Sequence, residues 1–125
     1  MVVEAIFAAL QGLVDGRVYP DAAPEGTARP FITYQGAGGR SLSTLAGPAA
    51  ERNARVQLNV WDATRLGADT VMEQARTAMC DRSDSLKSLR AQPLGEPTGM
   101  HEDDTDWYGA RCDFSIWFTL TPGGS

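Results

Sequence analysis

The sequence predicts an α+β fold: a mostly antiparallel β-sheet with two amphipathic helices packed on one face. Three observations lead there. Apolar residues recur at helical spacing near the N-terminus and again over residues 64–79. Segments 54–62 and 107–120 alternate apolar and polar residues, the period of two that a half-buried strand requires. Glycine- and proline-rich breaks set these segments apart, and two helices laid over one sheet face satisfy every apolar stripe.

Taken in order, Val3, Ile6, Phe7, Leu10 and Val14 mark the face of a first helix over residues 2–14, with Gly16 as its stop signal. Residues 17–29 carry Pro20, Pro24 and a Pro24-Glu25-Gly26 turn, and read as a loop with a short strand at Val18-Tyr19. Pro30 then opens a β-branched and aromatic strand, Phe31-Ile32-Thr33-Tyr34-Gln35, closed by Gly36, Gly38 and Gly39. Residues 41–50 are ambiguous: Leu42 and Leu45 could pair in a strand, but Gly47-Pro48 breaks a regular run. Residues 36–53 as a whole have little to bury, so a neighbouring subunit is expected to order them.

The alternation of Val56, Leu58 and Val60 with Arg55, Gln57 and Asn59 makes residues 54–62 the clearest strand. Thr64 or Asp62 can cap the second helix, whose buried face is Ala68, Val71, Met72, Ala75, Ala78 and Met79. Gly67 costs its first turn about 1 kcal/mol relative to Ala. Residues 85–92 offer a poorly alternating strand through Leu86 and Leu89, and polar residues 93–106 read as an exposed loop. The last strand, 107–120, turns Tyr108, Ala110, Cys112, Phe114, Ile116, Phe118 and Leu120 one way and Arg111, Asp113, Ser115 and Trp117 the other. Its length places it centrally in the sheet.

The 125 residues suit a single domain, 1–125, with 121–125 as a loose tail. The net charge of −5 argues against binding duplex DNA or an anionic membrane, both of which need clustered Lys and Arg. The N-terminal apolar run lacks a basic flank and is interrupted by Glu4 and Gln11, so no export signal is expected. No stretch approaches the ~18 apolar residues of a membrane span. Cys80 and Cys112, 32 residues apart, read as two reduced thiols.

Candidate chemistry is sparse. His101-Glu102-Asp103-Asp104-Thr105-Asp106 offers hard oxygen ligands and an imidazole, so the alternative function is a small metal-binding module or enzyme built on loop 101–106. That loop lacks the glycine and terminal glutamate of an EF-hand. Gly36-Ala37-Gly38-Gly39-Arg40-Ser41 misses the lysine of a phosphate loop. Cys112 falls on the inward phase of its strand, where a thiol is inert, and His101 would be its only base. No catalytic residue, metal or cofactor is assigned.

Trp61 and Trp117 fall on the sheet face opposite the helices, among Arg55, Gln57, Asn59, Arg111 and Asp113. Indole and guanidinium among polar neighbours is the composition of an interface hot spot. The candidate interface residues are therefore Trp61, Trp117, Arg55 and Arg111, with Arg40 and the loop residues His101, Glu102, Asp103 and Asp104.

The order of motifs resembles a family. An apolar opening helix is followed by Arg17-Val18-Tyr19-Pro20-Asp21 and Arg29-Pro30-Phe31-Ile32-Thr33-Tyr34. Then come Arg55-Val56-Gln57-Leu58-Asn59-Val60-Trp61, an alanine-rich helix, and Arg111-Cys112-Asp113-Phe114-Ser115-Ile116-Trp117-Phe118. In this the chain resembles the tail-completion proteins of long-tailed bacteriophages, also called tail terminators or tail-to-head joining proteins. The resemblance implies a virion component at the head-proximal end of the tail, made in the host bacterial cytoplasm. It implies a hexameric ring that caps the tail tube, stops its polymerisation and presents a surface for joining tail to head. The implied partners are further copies of the chain, the tail tube protein and a head-completion or stopper protein, with DNA passing through the channel unbound. No catalytic residues are implied.

Overall fold

In the computed structural model, which describes residues 2–36, 38, 43–44, 47–48, 51–80 and 90–119, helix α1 spans Val2–Leu10 and runs into a 3-10 turn over Gln11–Leu13. Its buried stripe is Ile6, Leu10 and Val14, the i, i+4, i+8 spacing of one helical face. Phe7, expected on that face, lies at its margin and is 38% exposed. The chain turns at Asp15 and Gly16, with φ of 50° and 79°, and the Gly16 N–H donates to the Gln11 carbonyl at 2.8 Å. Left-handed backbone at this point is what glycine supplies without strain.

Strand β1 (Val18–Pro20) runs parallel to β2 (Phe31–Gly36). β3 (Ser43–Thr44) and β4 (Gly47–Pro48) pair as a separate antiparallel ladder, so Gly47-Pro48 is itself paired rather than a simple break. Leu42, Leu45, Leu86 and Leu89 lie outside the described residues, as do Arg40 and Leu120. β5 (Glu51–Asp62) begins three residues before the alternation expected from Ala54. Helix α2 (Arg65–Met79) follows, then β6 (Ala91–Pro93), β7 (Thr98–Glu102) and β8 (Trp107–Thr119).

The main sheet has the order β1-β2-β5-β8, with β6 and β7 both pairing along the far edge of β8. β5 and β8 form its antiparallel spine, from Glu51 opposite Thr119 to Asp62 opposite Tyr108. Length and alternation thus do place β8 inside the sheet. The stretch 93–106 is corrected: it is not an open loop, because Thr98–Glu102 pairs with Trp107–Arg111 and only 103–106 form the turn. Four of the five β7 residues are exposed and the other is half-buried. An edge strand without a buried face has no alternation for a sequence to display.

Buried Val56, Leu58 and Val60 of β5 share one sheet face with Ala110, Cys112, Phe114 and Ile116 of β8 and Ile32 and Tyr34 of β2. Ala68, Val71, Met72, Ala75 and Met79 of α2 close over them, and α1 packs beside α2. Burying such side chains contributes roughly 1.5–3 kcal/mol each for the larger ones. Thr64 is the cap of α2: its hydroxyl oxygen accepts the Gly67 N–H at 3.0 Å. Asp62 instead accepts the Ala63 N–H at 2.7 Å. A Cβ at Gly67 would collide with the Asp62 carboxylate and lie 3.0 Å from Thr64 Oγ1. The glycine that weakens the helix therefore clears the space for its cap.

Candidate interaction surface

The opposite sheet face carries the odd-numbered residues of β2, β5 and β8, and no described helix packs on it. Along its middle it is polar and internally paired. The Arg55 guanidinium donates to Asp113 Oδ2 at 2.7 and 3.1 Å, and Asn53 Nδ2 donates to Ser115 Oγ at 2.8 Å. Such half-exposed pairs add little stability, ~1 kcal/mol or less; their effect here is to hold an ordered polar surface. Arg111 is exposed and makes no ion pair with a described residue.

The two tryptophans expected on this face are both there, but not together. Trp61 stands opposite Gly109, and Trp117 is eight residues farther along β8, about 27 Å at ~3.4 Å per residue. Trp61 belongs to a group at one end: its ring is 6.3 Å from that of Trp107, which meets Phe31 edge-on at 5.6 Å. The Arg29 guanidinium lies 5.3 Å from the Trp107 ring, within cation–π range. Phe31 and Thr33 are buried at this end. Sequence reasoning missed Trp107 and Phe31 as partners of Trp61. The phase of β2 relative to β5 is the signal that joins them, and only the cross-strand register reveals it.

The acidic loop residues divide between strand and turn. His101 and Glu102 end β7, while Asp103 and Asp104 lie in the turn 103–106. The His101 ring contacts Tyr108 at 4.6 Å, with Nε2 2.8 Å from Asp106 Oδ1 and Nδ1 3.2 Å from Asp103 Oδ1. Among the described residues no group of three or more His, Cys, Asp or Glu side chains is arranged to hold a metal ion.

The β7–β8 hairpin is fastened to the helical layer by Arg65. Its Nη2 donates to the Gly109 carbonyl and, at 3.3 Å, to that of Met100. The guanidinium also lies 5.7 Å from the Tyr108 ring. A Cβ at Gly99 would strike Arg65 Nη1, so the glycine admits the guanidinium. About three helical turns farther along α2, Arg76 bridges Glu73 at 3.4 Å and Glu96 at 3.5 Å, tying down the β6–β7 connection.

Cys112 is buried, as its inward phase predicts, and Cys80 is half-buried; both are free thiols. Burial pushes the Cys112 pKa up, with the nearby Arg76 cation opposing the shift. It is held as an unreactive thiol. An open, mostly apolar hollow of about 460 Å³ lies between the 3-10 turn and α2, lined by Leu13, Glu73, Gln74, Thr77 and Ala78. No described helix is long and apolar enough to cross a membrane.

Residues 4–119 match the family described as Tail completion protein gp17. No curated protein matches the chain. Among solved structures, the fold resembles a chain in the virion of a native gene transfer agent (GTA) particle. That match has 17% identity and a TM-score of 0.57, covering 93% of this chain and 90% of the other. It also resembles the bacteriophage SPP1 gp17 protein, at 15% identity and a TM-score of 0.51, covering 99% and 88%.

Proposed function

The chain belongs to the tail completion protein gp17 family, and from that premise we propose that it caps the finished tail tube as a ring of six copies. Its role in virion tail assembly follows from the family; the ring, the capping and the joining of tail to head are the proposed parts. The ring stops tube polymerisation and offers its upper side to a head-completion or stopper protein. The function is structural rather than enzymatic. What supports this reading is the family match over 4–119; a sheet face that no described helix covers gives neighbouring copies a place to meet. Trp117, Arg55 and Arg111 lie on that face and are assigned to the interface, with Trp61 at its edge.

A subunit charge of −5 amounts to about −30 for six copies, and a channel of that sign keeps DNA phosphates from adhering as they pass. Head-to-tail contacts close into a ring when the rotation between copies permits. Negative-stain imaging of this protein on tubes of its tail tube subunit tests the reading. Six copies at the head-proximal end are expected; one or two would overturn it.

A further inference from the structure

We propose that the acidic turn 103–106 of one copy seats on the arginine-bearing sheet face of the next copy, an inference that rests on the ring reading above. The two surfaces are electrostatic complements on one chain. At the turn, Glu102, Asp103, Asp104 and Asp106 are all exposed, and His101, through Asp103 and Asp106, is the only base that pairs with them among the described residues. On the face, exposed Arg111 and Arg55 stand beside Asp113, a net positive patch on a chain of charge −5.

Within one copy the turn lies too far along the sheet to meet Arg111 or Arg55. Arg111 sits four residues beyond Trp107, the first strand residue after the turn, about 14 Å farther along β8 at ~3.4 Å per residue. Arg55 lies opposite Ser115 and is farther still. A second copy meets no such limit. Each contact uses one turn and one face, and leaves a face free on the first copy and a turn free on the second. That is the head-to-tail arrangement which continues until the ring closes. Trp117, half-buried at the distal end of the same face, supplies the apolar anchor that charge pairs alone do not.

The test is charge reversal on tail tubes, with melting temperature confirming that each variant folds. Arg111→Glu and Asp104→Arg alone are expected to lower ring occupancy at the tube end about tenfold or more, the scale of one hot-spot contact. The double variant should recover it, and Asp103→Arg supplies a second acidic position. Raising salt from low to physiological strength should weaken wild-type ring formation. Rings that form normally in both single variants, or a double variant no better than either, overturn this pairing and leave the ring reading intact. So does retained ring occupancy with lost joining to heads, which would assign the face to the head-side partner. Wild-type protein bound as one or two copies overturns both.

Discussion

Trp61 rests directly on Gly109: a Cβ at that glycine would lie 2.8 Å from Trp61 Cε3 and 3.2 Å from Met100 Cε. The two residues are cross-strand partners in β5 and β8, so the indole plane lies against the backbone where any other residue would hold it off. Gly109→Ala is therefore expected to lift Trp61 away from Trp107. Overpacking of this kind costs about 1–3 kcal/mol. Tryptophan fluorescence should shift to the red and melting should fall by several degrees. An unchanged spectrum would show that the indole is not held there.

The two tryptophans proposed for the interface should consequently behave differently. Trp61→Ala removes a ring packed against Trp107 and Gly109. It should cost roughly 2 kcal/mol of subunit stability, less than the ~3–5 of a fully buried aromatic. Trp117 makes no ring contact with a described aromatic, so Trp117→Ala should stay near ~0.5 kcal/mol while ring formation on tail tubes fails. Equal losses of melting temperature in the two variants would reassign Trp117 to the subunit's own packing.

Why the shared sheet face of the two tryptophans was legible, and the surroundings of Trp61 were not, follows from what alternation encodes. A period of two shows which face Trp61 and Trp117 share, and Val56, Leu58, Val60, Phe114 and Ile116 are buried where that period puts them. It does not encode register. Phe31 meets Trp61 only because β2 pairs with β5 at that offset, and Trp107 joins them through β8. Strand β7 was invisible for a related reason: Thr98-Gly99-Met100-His101-Glu102 buries no face, and its pairing depends on residues beyond a turn. Gly67 was legible as a weak helix residue, whereas its service to the Thr64 cap required coordinates.

That glycine yields a prediction opposite in sign to propensity. In an exposed helix, Gly→Ala gains about 1 kcal/mol. Here the methyl group would collide with the Asp62 carboxylate and crowd the Thr64 hydroxyl. Gly67→Ala should destabilise, as loss of a cap costs ~1 kcal/mol and local crowding adds to it. Chemical denaturation of the two proteins measures the sign. A more stable variant would mean that Asp62 moves aside freely.

The cysteines should separate by reactivity. In native protein a thiol reagent is expected to modify half-buried Cys80 and to reach Cys112 only after unfolding. Because burial raises the Cys112 pKa, ionisation favours the unfolded chain. The contribution is complete below the ordinary thiol pKa of about 8.5 and is lost as pH rises through the higher folded value. Cys112→Ala should flatten that alkaline decline. Two equivalents of reagent reacting at one rate in folded protein would contradict the burial.

The last prediction concerns Arg65, which joins the first turn of α2 to the β7–β8 hairpin. Its guanidinium reaches the carbonyls of Gly109 and Met100 from one nitrogen while another lies 3.8 Å from Asp69. A lysine keeps the charge but cannot present several planar donors at once. Arg65→Lys should cost about 1–2 kcal/mol, the range for hydrogen bonds to a charged group. The loss should be local, because β7 has no buried face of its own and depends on β8 and on this clamp. Hydrogen exchange should therefore accelerate in residues 98–102 and leave the β5–β8 spine protected. Gly99→Ala should produce the same pattern by pushing the guanidinium away. Since both changes act on one contact, combining them should add little to either alone. Unaltered exchange in β7 with Arg65→Lys would mean that strand pairing alone holds the hairpin, and additive effects in the double variant would show that Gly99 acts on something other than Arg65.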